Sequence, residues 1–174
     1  ETMRLLFNMR RQSATVPVMP EERGAYRERL KREGLIDEAY LVWVNGLRDK
    51  ERDALGLVYN GSFELPLSNA GFGWHLRHPR AEGATLATQG AVGARALELR
   101  FRALETRFQH LHQPLFLDAG TYRLSGQVRS ERLKTQGGLR WRVRCRLPEP
   151  AVLGESTRLF GPDGWEAFSF DFEV

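Results

Sequence analysis

The stretch LRWRVRCRL, residues 139–147, decides the fold, because an arginine follows each apolar residue up to the last leucine. A two-residue period places the apolar side chains on one face of a β-strand and the arginines on the other. Three further stretches, 96–102, 122–129 and 167–174, alternate in the same way. From about residue 57 onward, the chain therefore predicts antiparallel sheet with one buried face.

Shorter segments between these four strands predict a sandwich rather than a single hairpin. Weaker strands are expected at 62–65, 73–76, 85–88 and 114–117, and turns rich in glycine stand at 118–120 and 136–138. About eight short strands over some 118 residues are typical of an antiparallel β-sandwich or jelly roll. We therefore predict that residues 57–174 form such a domain.

The chain before this region has the period of a helix instead. Apolar residues recur at helical spacing over 21–47, and Pro20 with the two acidic residues after it is a favourable helix start. Gly34 is expected to end the first helix, and a second follows it. Residues 1–53 thus predict a helical hairpin, with one more helix expected around 3–9.

The hairpin resembles one unit of a helical repeat of the tetratricopeptide kind. Small residues at Ala25, Gly34 and Ala39 would let its two helices approach closely. A single unit cannot bury its own apolar face, so this resemblance implies that the hairpin caps an array or packs on the neighbouring domain. An ordinary helical extension, unrelated to any repeat, is the alternative.

The start of the β region carries a second resemblance. The runs Asn60-Gly61-Ser62-Phe63-Glu64 and Gly71-Phe72-Gly73-Trp74 resemble the opening of carbohydrate-binding modules of families four and nine, which have the galactose-binding-like jelly-roll fold. Later features, including Gly120 to Leu124 and Trp165 before the last strand, follow in the same order. The resemblance implies a glycan-binding domain in which Phe63 and Trp74 anchor the first strands.

Calcium often holds the chain ends together in such modules. The resemblance therefore puts forward Glu64 and Asp171 as oxygen ligands of a structural calcium ion. Because a hard cation takes about six or more oxygen ligands, two carboxylates do not define a site, and ordinary surface acids are the alternative.

The face opposite the predicted core is the main candidate binding surface. Its members are basic or polar residues of three predicted strands: Arg100, Arg102, Arg123, Gln127, Arg129, Arg140, Arg142, Arg144 and Arg146, of which Arg123, Gln127, Arg140, Arg142 and Arg144 are the candidate ligand-binding residues. Guanidinium groups can recognise an acidic sugar, a carboxylate or a phosphate through paired hydrogen bonds. The alternative is a solvent-facing surface on which the arginines pair with acids such as Glu98, Asp171 and Glu173.

Neutral sugars are usually held by an aromatic ring together with planar polar groups. Trp74 and His75, with His78, could form such a site, whereas Trp141 alternates with aliphatic residues and is expected to pack in the core. His110 and His112 have the spacing of two residues on one side of a strand, but solvent-facing or hydrogen-bonded histidines are the preferred interpretation.

The composition excludes several classes of protein. The 174 residues are 41% hydrophobic and 28% charged, as in folded proteins, and the net charge of +4 is too small to indicate nucleic-acid binding. The one cysteine, Cys145, cannot form an internal disulfide and is expected to be a core thiol. No stretch has the apolar length of a transmembrane helix, so we do not expect a membrane-spanning segment. No catalytic motif is found, so we do not expect an enzyme.

These observations lead to two functional hypotheses. The first is a non-catalytic binding domain for a glycan or an acidic polysaccharide of the cell envelope, within a larger helical-repeat bacterial protein of the envelope or periplasm. The second is a protein-interaction or scaffolding module, in which the jelly roll has no sugar ligand and the helical segment docks another protein.

Overall fold

The computed structural model describes residues 19–76, 84–91, 94–101, 111–131, 136–146, 149–160 and 164–174. Over these ranges more residues lie in strands than in helices, and all strand pairs are antiparallel. The chain divides into two compact units, one ending at Phe116 (unit 1) and one beginning at Leu117 (unit 2). The predicted mainly-β chain with a helical N-terminal segment is confirmed at this level.

The helical hairpin is present where it was predicted. Helix α1 spans Pro20–Arg32, helix α2 spans Ile36–Val44, and a single turn, α3, follows at Asp49–Arg52. Gly34 between the first two helices has a φ of +78°, a left-handed conformation that glycine adopts without a steric penalty. The helix expected around 3–9 lies outside the described residues. In the described ranges, no helix combines the length and hydrophobicity needed to cross a bilayer.

Aromatic rings form the core of unit 1. The Trp43 ring on α2 meets the Tyr59 ring edge-on at a centroid distance of 5.0 Å, and Tyr40 meets Phe72 at 5.2 Å. The buried members come from both helices and from the loop that follows them: Tyr26, Leu30, Ala39, Trp43, Tyr59 and Phe72. The hairpin thus buries its apolar face against Tyr59 and Phe72, which follow the boundary predicted between the helical segment and the β region at 53–57.

That loop is organised by the buried side chain of Asn60, which is only 2% exposed. Its amide nitrogen donates to the Leu65 carbonyl oxygen at 2.8 Å, and its amide oxygen accepts from the Leu65 N–H at 3.0 Å. The Asn60 carbonyl oxygen also accepts from the Trp74 indole N–H. Asn60 has a φ of +49°, in the left-handed region, which asparagine tolerates better than most residues other than glycine.

Two of the weaker predicted strands are wrong. Residues 62–65 are a loop rather than a strand, because Phe63 has a φ of +59° and the Leu65 backbone is hydrogen-bonded to the Asn60 side chain instead of a neighbouring strand. Residues 114–117 are also irregular. A short apolar run gives too weak a period to distinguish strand from packed loop.

The described strands of unit 1 form two separate pairs. Strand β1, His75–Leu76, pairs with β4, Leu111–His112, and the hairpin of β2, Ala84–Ala91, with β3, Ala94–Phe101, is the longer pair. The predicted strands at 73–76, 85–88 and 96–102 correspond to β1, β2 and β3, with shifted ends.

Unit 2 consists of two further antiparallel pairs. Strand β5, Thr121–Val128, pairs with β8, Glu166–Glu173, while β6, Arg142–Cys145, pairs with β7, Ala151–Glu155. An isolated bridge joins Leu139 to Leu159. The strand predicted over 139–147 is therefore shorter than expected, and β7 was not predicted at all.

The alternation predicted for these strands is confirmed by burial. Exposed and half-buried residues alternate along β5 and β6, and most of β8 follows the same pattern. Phe172 is buried, with its ring stacked on Tyr122 at 5.6 Å, and the Trp141 ring lies parallel to Phe168 at 6.4 Å. Trp141 therefore packs on the inner side of the sheet, as the sequence indicated.

Close approach of two strands in unit 2 depends on Gly154 of β7. A Cβ atom at this position would lie 2.8 Å from the Phe172 Cβ and 3.0 Å from the Asp171 carbonyl oxygen. Both atoms belong to β8, so the absence of a side chain at Gly154 lets β7 contact the strand that carries the phenylalanines.

We predict that Asn60→Ala lowers the free energy of unfolding by about 2 to 4 kcal/mol, because it leaves the Leu65 backbone groups without partners and places alanine at a positive φ. Chemical denaturation followed by tryptophan fluorescence measures the change. Asn45→Ala is the matched control, since Asn45 is exposed and has a φ of −65°. Equal effects of the two substitutions would contradict the role given to Asn60.

Candidate ligand-binding surface

The exposed face of the β5–β8 pair is polar along its whole length. On β5 the exposed side chains include Arg123, Ser125 and Gln127, and their partners in register on β8 are Asp171, Ser169 and Ala167. We call these six residues the outer face. It offers a guanidinium, a carboxylate, an amide and hydroxyl groups, all planar or compact groups that can donate or accept hydrogen bonds.

Arg123 and Asp171 form a two-bonded ion pair across the strands. The Arg123 Nε donates to Asp171 Oδ1 at 2.7 Å, and one terminal nitrogen donates to Oδ2 at 3.0 Å. This hydrogen bonding, assisted by the charge of the guanidinium, lowers the pKa of the Asp171 carboxyl below its ordinary value. The pairing fixes the guanidinium plane and leaves further N–H donors directed away from the carboxylate.

A second cluster in unit 2 holds two arginines on one carboxylate. Arg142 donates from Nε to Glu155 Oε2 at 3.0 Å, and Arg140 donates to the other oxygen, Oε1. The hydrogen bond from Arg142 and the charges of both arginines lower the pKa of Glu155. Glu155 lies on β7 in register with Arg142, so the β6–β7 pairing creates this cluster.

Arg144 differs from its neighbours along β6. It is exposed, and its partner in register on β7 is the apolar Val152 rather than an acid. In the part of the chain that the structure describes, Arg144 makes no ion pair. Its guanidinium is therefore available to an anionic group from outside, whereas Arg123, Arg140 and Arg142 already have protein carboxylates.

The other predicted ligand-binding residues, Trp74 and His75, lie in unit 1 and have structural contacts. Trp74 is 8% exposed, and its ring packs on Phe63 at 5.2 Å, so it does not offer an open stacking surface. The His75 ring stacks on His112 at 5.1 Å across β1 and β4. His75 Nε2 also lies 3.2 Å from the Gly71 carbonyl oxygen. His78 and His110 are outside the described residues.

The two proposed calcium ligands, Glu64 and Asp171, lie in different units. Glu64 belongs to unit 1, where its carbonyl oxygen accepts a hydrogen bond from Arg95. Asp171 belongs to unit 2 and is paired with Arg123. Among the described residues, no group of three or more histidine, cysteine, aspartate or glutamate side chains could hold a metal ion. The calcium site remains a prediction.

Sequence reasoning missed part of this surface. Ser125 and Ser169 stand at outward positions of strands that were predicted, so the two-residue period alone could have identified them. Glu155 could not have been found in the same way, because β7 has no clear alternation and its partnership with the arginines depends on pairing with β6.

Comparison with known proteins adds no relative: no family model, curated protein or solved structure matches this chain. The resemblances of residues 60–74 to carbohydrate-binding modules and of the hairpin to a helical repeat therefore remain predictions. What the surface can do chemically has to be argued from its own residues.

Arg123→Ala should raise the pKa of Asp171 toward its ordinary value, because the hydrogen bonds that favour the ionised carboxylate are lost. Since the folded-state pKa is lowered, the pair stabilises unit 2 above the ordinary carboxyl pKa, and this contribution disappears as the pH falls through the lowered value. A carbon NMR titration of the Asp171 carboxyl group measures the shift. Arg52→Ala, which removes an exposed arginine of unit 1, should leave the Asp171 titration unchanged.

Proposed function

We propose that this chain is a non-catalytic binding domain for a glycan, in particular an acidic polysaccharide, and that unit 2 provides the binding surface. The observation that carries the proposal is the arrangement of the arginines. Arg123 is held by two hydrogen bonds to Asp171 and Arg142 by an ion pair with Glu155, while the exposed Arg144 has no acid opposite it. A uronate carboxylate would supply Arg144 with the partner that the described protein residues do not.

The hydroxyl and amide groups of the outer face suit the remainder of a sugar. Ser125 and Ser169 are cross-strand partners, and Gln127 is exposed two residues further along β5. Each can both donate and accept hydrogen bonds, which matches the hydroxyl groups of a polysaccharide better than a uniformly anionic ligand such as nucleic acid. This mixture of groups supports a glycan over other acidic polymers.

The proposal also covers the fold, the parent protein and the compartment. A jelly-roll arrangement of the strands, attachment to helical repeats and a place in a bacterial envelope or periplasm are the finer parts of the proposal. The alternating strands support the first of these and the helical hairpin before them supports the second.

We expect Arg144→Ala to weaken binding to polygalacturonate about five- to tenfold, because a charge-assisted hydrogen bond to a uronate is lost. Affinity electrophoresis in gels with increasing polygalacturonate measures the retardation, and a neutral dextran gel serves as the reference. Arg52→Ala removes the same charge from unit 1 and is the matched control. Equal loss in both variants would show non-specific attraction, and no retardation of the folded wild type would refute an acidic polysaccharide as the ligand.

A protein-binding role for the helical hairpin is the second candidate, because apolar side chains remain exposed on it. Leu41 on α2 is 58% exposed, and Leu35 before α2 and Met19 before α1 are also exposed. Scattered exposed apolar residues are common, but two leucines and a methionine on one hairpin provide apolar surface for another protein.

This alternative predicts that the full chain captures one specific protein and that Leu41→Asp abolishes the capture, because a charge would be placed in the apolar contact. Chemical cross-linking followed by mass spectrometry identifies the partner and the cross-linked residues. Leu57→Asp is the matched control, since Leu57 is as exposed but lies in the loop after the helices. Capture that survives Leu41→Asp would exclude the hairpin as the docking surface.

A further inference from the structure

A groove of about 590 Å³ in unit 2 lies between the segment after β7 and the first half of β8. Thr157, Arg158 and Phe160 line one wall, and Glu166 and Ser169 line the other. The volume falls in the range of about 300 to 1,000 Å³ that is common for small-molecule sites. The groove is therefore large enough for one or two sugar units.

The groove is continuous with the outer face. Ala167 and Ser169 belong to both, because they line the groove and stand opposite Gln127 and Ser125 in the β5–β8 register. Each wall also lies close in sequence to a carboxylate that is paired with arginine. Thr157 is two residues after Glu155, and Ser169 is two residues before Asp171. The groove and the outer face thus share the exposed residues Ala167 and Ser169.

Phe160 gives the groove an aromatic surface. Its side chain is 52% exposed, although phenylalanine is among the residues most often buried. Gly138, with a φ of +66°, supports this position: a Cβ atom there would lie 3.4 Å from Phe160 Cε1 and 3.1 Å from the Arg158 Cβ. The backbone of Gly138 therefore approaches the two residues closely and leaves the Phe160 ring standing at the surface.

Among the described residues of the groove, the charged side chains are one base and one acid. Arg158 on one wall and Glu166 on the other have opposite charges, and neither forms an ion pair with another described residue. The hydroxyl groups of Thr157 and Ser169 likewise make no hydrogen bond within the described ranges. Opposed charges and free hydroxyl groups around an aromatic ring suit a ligand that is uncharged, rich in hydroxyl groups and apolar on one face.

We propose that this groove holds a neutral pyranose unit of the glycan, with the apolar face of the sugar ring on Phe160 and its hydroxyl groups on Arg158, Glu166 and Ser169. The inference rests on the proposed function and deepens it. The arginines of unit 2 recognise acidic units, and the groove recognises a neutral unit of the same chain.

Isothermal titration calorimetry of the full chain with cellohexaose, xylohexaose and maltohexaose tests the groove. We expect at least one of these neutral hexasaccharides to bind, Phe160→Ala to weaken that binding at least tenfold, and Phe160→Tyr to keep it within about threefold of the wild type. Phe116→Ala is the matched control, because Phe116 is an exposed phenylalanine of unit 1. It should leave the affinity unchanged.

The outcomes separate the two proposals. If a hexasaccharide binds and Phe160→Ala has no effect, or if polygalacturonate is retained while none of the three neutral hexasaccharides binds, the groove assignment is wrong and the glycan-binding proposal stands. If the folded protein binds neither polygalacturonate nor any hexasaccharide, both proposals are wrong.

Discussion

The register between β5 and β8 is the constraint on which the candidate surface depends. Arg123 stands opposite Asp171, Ser125 opposite Ser169 and Gly126 opposite Phe168. A shift of one residue would turn the phenylalanines of β8 outward and the polar side chains inward, because strand side chains alternate. The rings of Tyr122 and Phe172, stacked at 5.6 Å on the inner face, therefore also fix the chemistry of the outer face.

The features that could be predicted from the sequence are those with a sustained period. The long alternating strands appear as β3, β5, β6 and β8, and the helical hairpin appears between Pro20 and Val44. The partnership of Arg123 with Asp171 was within reach, because Asp171 was recognised as an acid that could neutralise the arginines. In each case the local pattern and the packing favour the same structure, so no tertiary information was needed.

The parts that escaped prediction are those in which a tertiary contact replaces the local pattern. Residues 62–65 were predicted as a strand, but the Asn60 amide bonds to the Leu65 backbone and takes the place of a strand partner. Strand β7 follows the two prolines at 148 and 150 and contains Gly154, which is needed only because β8 lies so close.

Ion pairs on an exposed surface contribute little to folding stability, typically about 0 to 1 kcal/mol. The paired carboxylates of unit 2, Asp171 and Glu155, are exposed in this way. Their larger physical effect is on orientation, since a guanidinium held by two hydrogen bonds keeps one plane and loses rotamer freedom before any ligand arrives. A ligand that meets such a group avoids part of the entropic cost of ordering it. A solvent-facing surface on which arginines pair with acids, the alternative stated for this face, accounts for the Arg123–Asp171 and Arg142–Glu155 pairs as well, so the glycan proposal depends on Arg144, which has no acid opposite it.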